Sequence, residues 1–149
     1  MDIVFDKTEI TKSVGALLWK YGNTIEGADN FKLESNVKID LSDNADKRTL
    51  DDSFFNRTNE LANIMREFVS GDVSVDDAGQ TPTYNVTIPI TMSTTWKGQQ
   101  RVLKSHCDKY VIDGMMADWL NVTAPNEAAL YSLALKKDEE NIIDELYAV

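Results

Sequence analysis

Ser105, His106 and Cys107 are three neighbouring residues whose side chains could each take part in chemistry. A nucleophile and a base act together only when they lie within hydrogen-bonding reach of each other. The segment around them is typical of a helix, in which successive side chains point about 100° apart. We therefore expect a structural or surface role for His106, although a distant carboxylate could still pair with it. Cys107 falls on the apolar side of that helix, and we expect it in the core.

Residues 72–77 carry acidic or hydroxyl side chains at alternate positions, a pattern that invites comparison with a calcium-binding loop. The glycine that an EF-hand needs is missing from its position, and no bidentate glutamate closes the loop. We interpret residues 72–83 as a solvated acidic loop, and as the segment most prone to move. Phosphate-binding glycine motifs, CxxC, HExxH and GxSxG are also absent. The sequence therefore predicts no enzyme and no bound cofactor or metal.

The spacing of apolar residues predicts the elements that position these side chains. Helices are predicted at about residues 8–21, 51–70, 95–120 and 124–147, and strands at about residues 37–41 and 84–92. Pro89 lies inside the second strand, and because proline has no N–H to donate, we expect an edge strand or an irregular strand there. The chain is predicted to be a single domain over residues 1–149, mainly α, namely a four-helix bundle with a small β-hairpin or extended β arm.

Two predicted helices have an apolar side that should face the core. The side of the third helix is expected to be Leu103, Cys107, Tyr110, Val111, Gly114 and Ala117. In the fourth helix it is expected to be Leu130, Tyr131, Ala134, Leu135, Ile142, Ile143 and Leu146. Gly114 and Ala117 are small and share a face, so another helix could approach closely there.

Composition limits the classes of function that this chain could have. Its formal net charge is −10, which disfavours binding to nucleic-acid phosphates and to anionic membranes. One cysteine cannot form an internal disulfide. No apolar run approaches the roughly 20 residues of a membrane span, and no basic and apolar leader begins the sequence. We expect a chain that is synthesised in a reducing, cytoplasm-like compartment.

The segment around the second strand is the predicted contact element. An exposed strand edge invites pairing with another chain, so Ile88 and Ile90 are candidates for contacts between subunits. Tryptophans are more often packing residues than binding anchors, but Trp96 opens the third helix beside this strand and is the third candidate. Lys97 and Arg101 share a basic stripe with Lys104 and complete the candidate set.

Charge is unevenly distributed along the last two helices. Acidic residues are concentrated near the end of the chain, at Asp138, Glu139, Glu140, Asp144 and Glu145. A solvated surface is the commoner outcome for such runs. The alternative is that the basic stripe of one copy meets the acidic patch of the next, a head-to-tail contact that can close into a ring.

The order of segments in residues 84–149 is similar to that of a known class of protein. The strand ends in Ile88-Pro-Ile-Thr-Met92, and Trp96 then opens a helix that ends in Asp118-Trp-Leu120. Pro125-Asn-Glu-Ala-Ala-Leu-Tyr131 begins the closing helix. In this order the chain resembles the small head–tail connector or adaptor proteins of tailed phages and prophages of gut bacteria, the crAss-like phages among them. The first 50 residues match only in having a helix near the start.

The resemblance implies a structural protein of the virion, assembled in the host cytoplasm. Such proteins form homo-oligomeric rings, commonly dodecamers, that sit below the portal protein and contact tail or other neck proteins. Residues 37–41 and 72–83 would then be candidates for an arm that reaches a neighbour. No catalytic residue is transferred by the resemblance. Packaged DNA could pass through the lumen of such a ring, and a negative lumen surface would let it slide.

Two other functions remain open from the residues. A small acidic cytoplasmic protein could mimic DNA and inhibit a nucleic-acid enzyme, although its acids should then lie in rows at phosphate spacing. A tail-completion protein or another virion ring would share the predicted features of a connector.

Overall fold

The computed structural model describes residues 1–24, 44–77 and 84–149 of the chain. In order, its elements are β1 (Asp2–Asp6), α1 (Lys7–Thr24), α2 (Asn44–Ile64), β2 (Ser74–Asp77), β3 (Tyr84–Pro89), α3 (Gln100–Thr123) and α4 (Pro125–Leu146). The predicted class, mainly α with a small β element, is confirmed. The predicted strand at residues 37–41 lies outside the described residues.

α2 and α3 depart most from their predicted bounds. Residues 44–48, which precede the predicted helix, form the first turns of α2, and Leu50 and Phe54 lie on its buried side. It ends at Ile64 rather than at residue 70. The start of α3 is at Gln100 rather than at residue 95, since a turn from Ser93 to Trp96 comes first.

The three described strands form one antiparallel sheet in the order β1-β3-β2. β3 is therefore central, and the prediction that it lies at an edge is wrong. Pro89 pairs with Asp2 but lies beyond Thr87, the last β3 residue opposite β2, so its missing N–H interrupts no bond of that ladder. Ser74–Asp77 form β2, so this part of the predicted acidic loop is wrong also.

One face of the sheet contributes to the hydrophobic core. Ile3 and Phe5 of β1 lie opposite Ile88 and Val86 of β3, and all four are buried. Their alternation with exposed or half-buried residues follows the two-residue period of a strand. α1 packs against both of these strands and against α2 and α3.

α3 is the central helix, because it packs against α1, α2 and α4. Its predicted apolar side is confirmed by the burial of every member. Only Ala124 separates it from α4, and the two helices pack against each other as antiparallel neighbours. We refer to α3 and α4 together as the α3–α4 hairpin. Within the described ranges, no helix combines the length and the apolar character needed to cross a membrane.

Candidate interaction surfaces

Ile88 and Ile90, predicted to contact a neighbouring subunit, are fully buried inside the described fold. Ile88 faces the core from the central strand, and Ile90 exchanges backbone hydrogen bonds with Met1. Neither side chain is available to another chain. This part of the predicted interface is wrong, and the reason is the central position of β3.

Trp96 is half-buried against the end of α4. Its indole Nε1 donates a hydrogen bond to the carbonyl oxygen of Glu145 at 2.7 Å. The ring also lies so close to Gly98 that a Cβ built there would be 2.4 Å from it. The observed role of Trp96 is therefore to fasten the segment before α3 to α4, and a role between subunits remains a prediction.

Lys97 and Arg101 are exposed at the start of α3, as a contact role requires. Lys97 precedes the helix instead of sharing its stripe, and its backbone N–H donates to the carbonyl of Ala148 at 2.9 Å. Lys104 is paired with Asp108 and lies over the Phe5 ring, 5.1 Å from its centroid. The basic surface is consequently smaller than the sequence predicted, and consists chiefly of Lys97 and Arg101.

The predicted acidic patch near the end of the chain is also reduced. The Glu145 carboxylate accepts a hydrogen bond from the backbone N–H of Gln99 at 2.6 Å. Asp138 is buried against α3. Glu140 and Asp144 are exposed, so the negative surface of α4 is smaller than its sequence suggests.

Three large apolar side chains near the junction of α3 and α4 are exposed, which the sequence did not predict. We call them together the corner patch: Val122, Leu130 and Leu133, which are 84, 66 and 63% exposed. Leu130 had been placed on the buried side of α4, but Ala128, Asp138 and Ile142 occupy that side. The three-residue spacing of Leu130 and Leu133 was the available signal, since it puts both on one face.

A network of charged hydrogen bonds joins α2 to α3. Arg57 donates from Nε to Oδ2 of Asp118 at 3.1 Å and from Nη2 to Oδ1 at 2.6 Å. Ser53 adds a hydrogen bond to the same Oδ2 at 2.6 Å. The Arg57 side chain crosses Gly114, where a Cβ would stand 2.6 Å from the arginine Cδ. The predicted close approach at Gly114 is therefore made by this side chain.

Two carboxyl groups lie between α3 and α4. Asp113 and Asp138 are only 6 and 2% exposed. Nζ of Lys109 is 2.7 Å from Oδ2 of Asp113 and 3.6 Å from Oδ1 of Asp138. Burial, and then the neighbouring Asp113, raise the pKa of Asp138 to about 7, while Lys109 acts in the opposite direction. No sequence motif marked this pair.

Ser105, His106 and Cys107, three neighbouring residues of α3, do not form a catalytic set. Cys107 is buried, with its Sγ 4.0 Å from Sδ of Met65, and burial raises the pKa of its thiol to about 12. The core role predicted for Cys107 is confirmed, and such a thiol is unreactive at neutral pH. His106 is half-buried beside Arg101 and Ser105 at a shallow groove.

A groove between α1 and α2 has a volume of about 190 Å³. Lys7 and Asp51 line it and form an ion pair at 3.2 Å. In residues 1–24, 44–77 and 84–149, no cluster of three or more His, Cys, Asp or Glu side chains could hold a metal ion.

Comparisons with known proteins add no relative. No family model matches the chain, and neither the curated proteins nor the solved structures contain a match.

Proposed function

We propose that this protein is a structural subunit of a tailed-phage virion, acting in the head–tail connector or adaptor ring between portal and tail. The order of segments in residues 84–149, which resembles that of such proteins, suggests this class. The structural observation that carries the proposal is the exposure of Leu130 and Leu133 on one face of α4, with Val122 exposed at the end of α3. Burial against another subunit or a neck protein would remove that surface from water.

The α3–α4 hairpin offers two separated places for contact. α3 is 24 residues long, which corresponds to about 36 Å at the rise of an α-helix. Val122 and Leu130 lie near the end of the α3–α4 hairpin at which the two helices are connected. Lys97 and Arg101 lie near the opposite end. A neighbouring copy packed alongside would meet an apolar contact and a basic contact, and two such contacts fix its orientation.

A charged pair lies next to the apolar residues on the outer side of α4. Lys137 and Glu140 follow Leu133 on that side and form an exposed pair at 3.8 Å. An apolar centre with a charged rim is the usual anatomy of a protein–protein interface. The mixed signs give no support to DNA mimicry, which needs rows of acids. A tail-completion ring would use the same surface and differ only in its neighbours.

The location of the protein tests the proposal directly. Tailed particles purified from a strain that carries this gene should contain the protein in a fixed, multiple copy number by mass spectrometry. Antibodies against it should label the neck in electron micrographs. If washed particles lack the protein while portal and tail proteins are present, the proposal is refuted.

A matched pair of substitutions tests the corner patch. Leu133→Glu places a charge inside the patch, whereas Ser132→Glu places the same charge on the exposed flank of α4. We expect Leu133→Glu to reduce incorporation into particles at least tenfold, and Ser132→Glu to leave incorporation near the wild-type level. Equal incorporation of both variants would show that the corner patch makes no contact in the particle.

A further inference from the structure

At the buried contact between α3 and α4, the carboxyl groups outnumber the positively charged groups near them. Asp113 and Asp138 face each other with one ammonium group, that of Lys109, near both. Two ionised carboxylates and one ammonium would leave a net charge of −1 at this buried place. Burial of an uncompensated charge is strongly unfavourable, and such sites usually take up a proton instead.

The geometry distinguishes the two carboxyl groups. Lys109 is within direct hydrogen-bonding distance of Asp113, at 2.7 Å, but is 3.6 Å from Asp138. Oδ2 of Asp138 is buried and has no hydrogen-bond partner among the described residues. Asp113 therefore has the cation as a direct partner, whereas Asp138 has an oxygen that lacks one. A protonated Asp138 becomes a donor and can hydrogen-bond to Asp113.

We propose that Asp113 and Asp138 form a proton-dependent clasp between α3 and α4, closed when one proton is shared by the pair and weakened when that proton is lost. The carboxyl of Asp138 holds the proton and donates it toward Asp113, while Lys109 balances the remaining negative charge. When the proton leaves, the two carboxylates repel each other across the helix interface. The clasp is independent of the function proposed above.

The groups around the pair fit this assignment. From α3, Asp113 favours the protonated form of Asp138, and Lys109 opposes it. From α4, the phenol of Tyr131 faces the same cluster, and burial followed by the charge of Asp113 raises the pKa of that phenol. Tyr131 therefore stays neutral near pH 7 and contributes no compensating charge.

The direction of the pH effect follows from proton linkage. The folded-state pKa of Asp138, about 7, lies above the ordinary value of 3.8, so the folded protein binds more protons than the unfolded chain between these values. Stability therefore decreases as pH rises from about 4 to about 7, and this contribution is constant above that window. A carboxyl with an ordinary or lowered pKa would not produce this decrease.

Thermal unfolding of the full chain at pH 5, 6, 7 and 8 tests the clasp. In the wild-type protein, loss of the proton from Asp138 should lower Tm by roughly 5 °C as the pH rises from 5 to 8. Asp138→Asn has a similar shape and a permanent donor, so it should remove most of that decrease. Asp144→Asn, at an exposed position on the same helix, should retain the wild-type slope. Equal slopes for Asp138→Asn and wild type would overturn the proposal.

A measurement on the wild-type protein makes the test independent of variant folding. The carboxyl carbon resonance of Asp138, followed by NMR, should titrate near pH 7. In Asp113→Asn, which removes the negative neighbour, the same resonance should titrate at lower pH. A midpoint below pH 5 in the wild-type protein would refute a clasp that holds a proton near neutrality.

Discussion

The two polar contacts of α3 differ in how fully their carboxylate oxygens are hydrogen-bonded. Toward α2, Arg57 binds the Asp118 carboxylate through two hydrogen bonds, and Ser53 donates a third to it. Arg57 also pairs with the exposed Glu60 of α2. Toward α4, two buried aspartates share one lysine, and one oxygen is left without a partner. The second contact should therefore respond to pH. One helix thus carries a firm contact on one side and an adjustable contact on the other.

Removal of the carboxylate at Asp118 should have the largest effect on this comparison. Asp118→Ala leaves the half-buried Arg57 without its bidentate partner, and we expect a loss of about 3 kcal/mol in the free energy of unfolding. Urea denaturation at pH 7 would measure it. Glu140→Ala, which breaks an exposed pair with Lys137, is the control and should change stability by less than about 0.5 kcal/mol. If Asp118→Ala lowers the free energy of unfolding no more than Glu140→Ala does, the contact between α2 and α3 contributes little to stability.

A methyl group at Gly114 should weaken the α2–α3 contact by a different route. Alanine favours a helix over glycine by about 1 kcal/mol, but a Cβ here would be 2.6 Å from Cδ of Arg57. We expect Gly114→Ala to destabilise by about 1–2 kcal/mol, because the arginine must move away from Asp118. The same substitution in an Arg57→Ala background should be neutral or stabilising. Denaturation of the double-mutant cycle measures the coupling, and additive effects would contradict the steric account.

Removal of Lys109, the cation that lies near both Asp113 and Asp138, should make the α3–α4 contact depend more strongly on pH. Lys109→Met takes away the group that opposes protonation of Asp138, so the pKa of Asp138 should rise further. We expect a loss of about 1–2 kcal/mol at pH 8 and a smaller loss at pH 5, where Asp138 is neutral. Unfolding curves at the two pH values give the difference directly. A loss that is equal at both would mean that Lys109 acts only through packing.

The smallest loss of stability is expected from a substitution at Trp96, which lies just before α3. Trp96→Phe keeps an aromatic ring but loses the hydrogen bond from the indole to the carbonyl of Glu145. We expect a loss of about 1 kcal/mol that does not vary between pH 5 and pH 8. Denaturation at both pH values would measure it. A pH-dependent loss would indicate that the clasp and this hydrogen bond are coupled.

The helices were predictable because burial follows a local period. The buried side of α3 could be predicted from residues three and four apart, and the burial of Val86, Ile88 and Ile90 from alternation along β3 and the residue after it. The same alternation, of Ile3 and Phe5, marks β1, although that strand was not predicted. Local patterns of this kind need no knowledge of the partner element.

The incorrect or missing predictions share a cause. Each concerns a feature that depends on how segments distant in the sequence pack against each other. Pro89 was a sound reason to expect an edge, but it lies past the end of β2, and this depends on register. Asp113 and Asp138 lie on different helices, and only the packing of those helices brings them together. Leu130 fits the apolar spacing of α4, but it lies outside the face of α4 that packs against α3. The sequence of α4 alone therefore could not show that Leu130 is exposed.

The pairing of β1 with β3 has a consequence for the order of folding. Asp2 lies opposite Pro89, so this ladder requires the closure of a long chain segment. The α3–α4 hairpin is connected by Ala124 alone and is built from local contacts. Closure of a long loop costs more entropy than closure of a short one, and local contacts form faster. We expect the α3–α4 hairpin to be among the earliest structures in folding and β1 to join the sheet late, which could be followed by pulse-labelled hydrogen exchange.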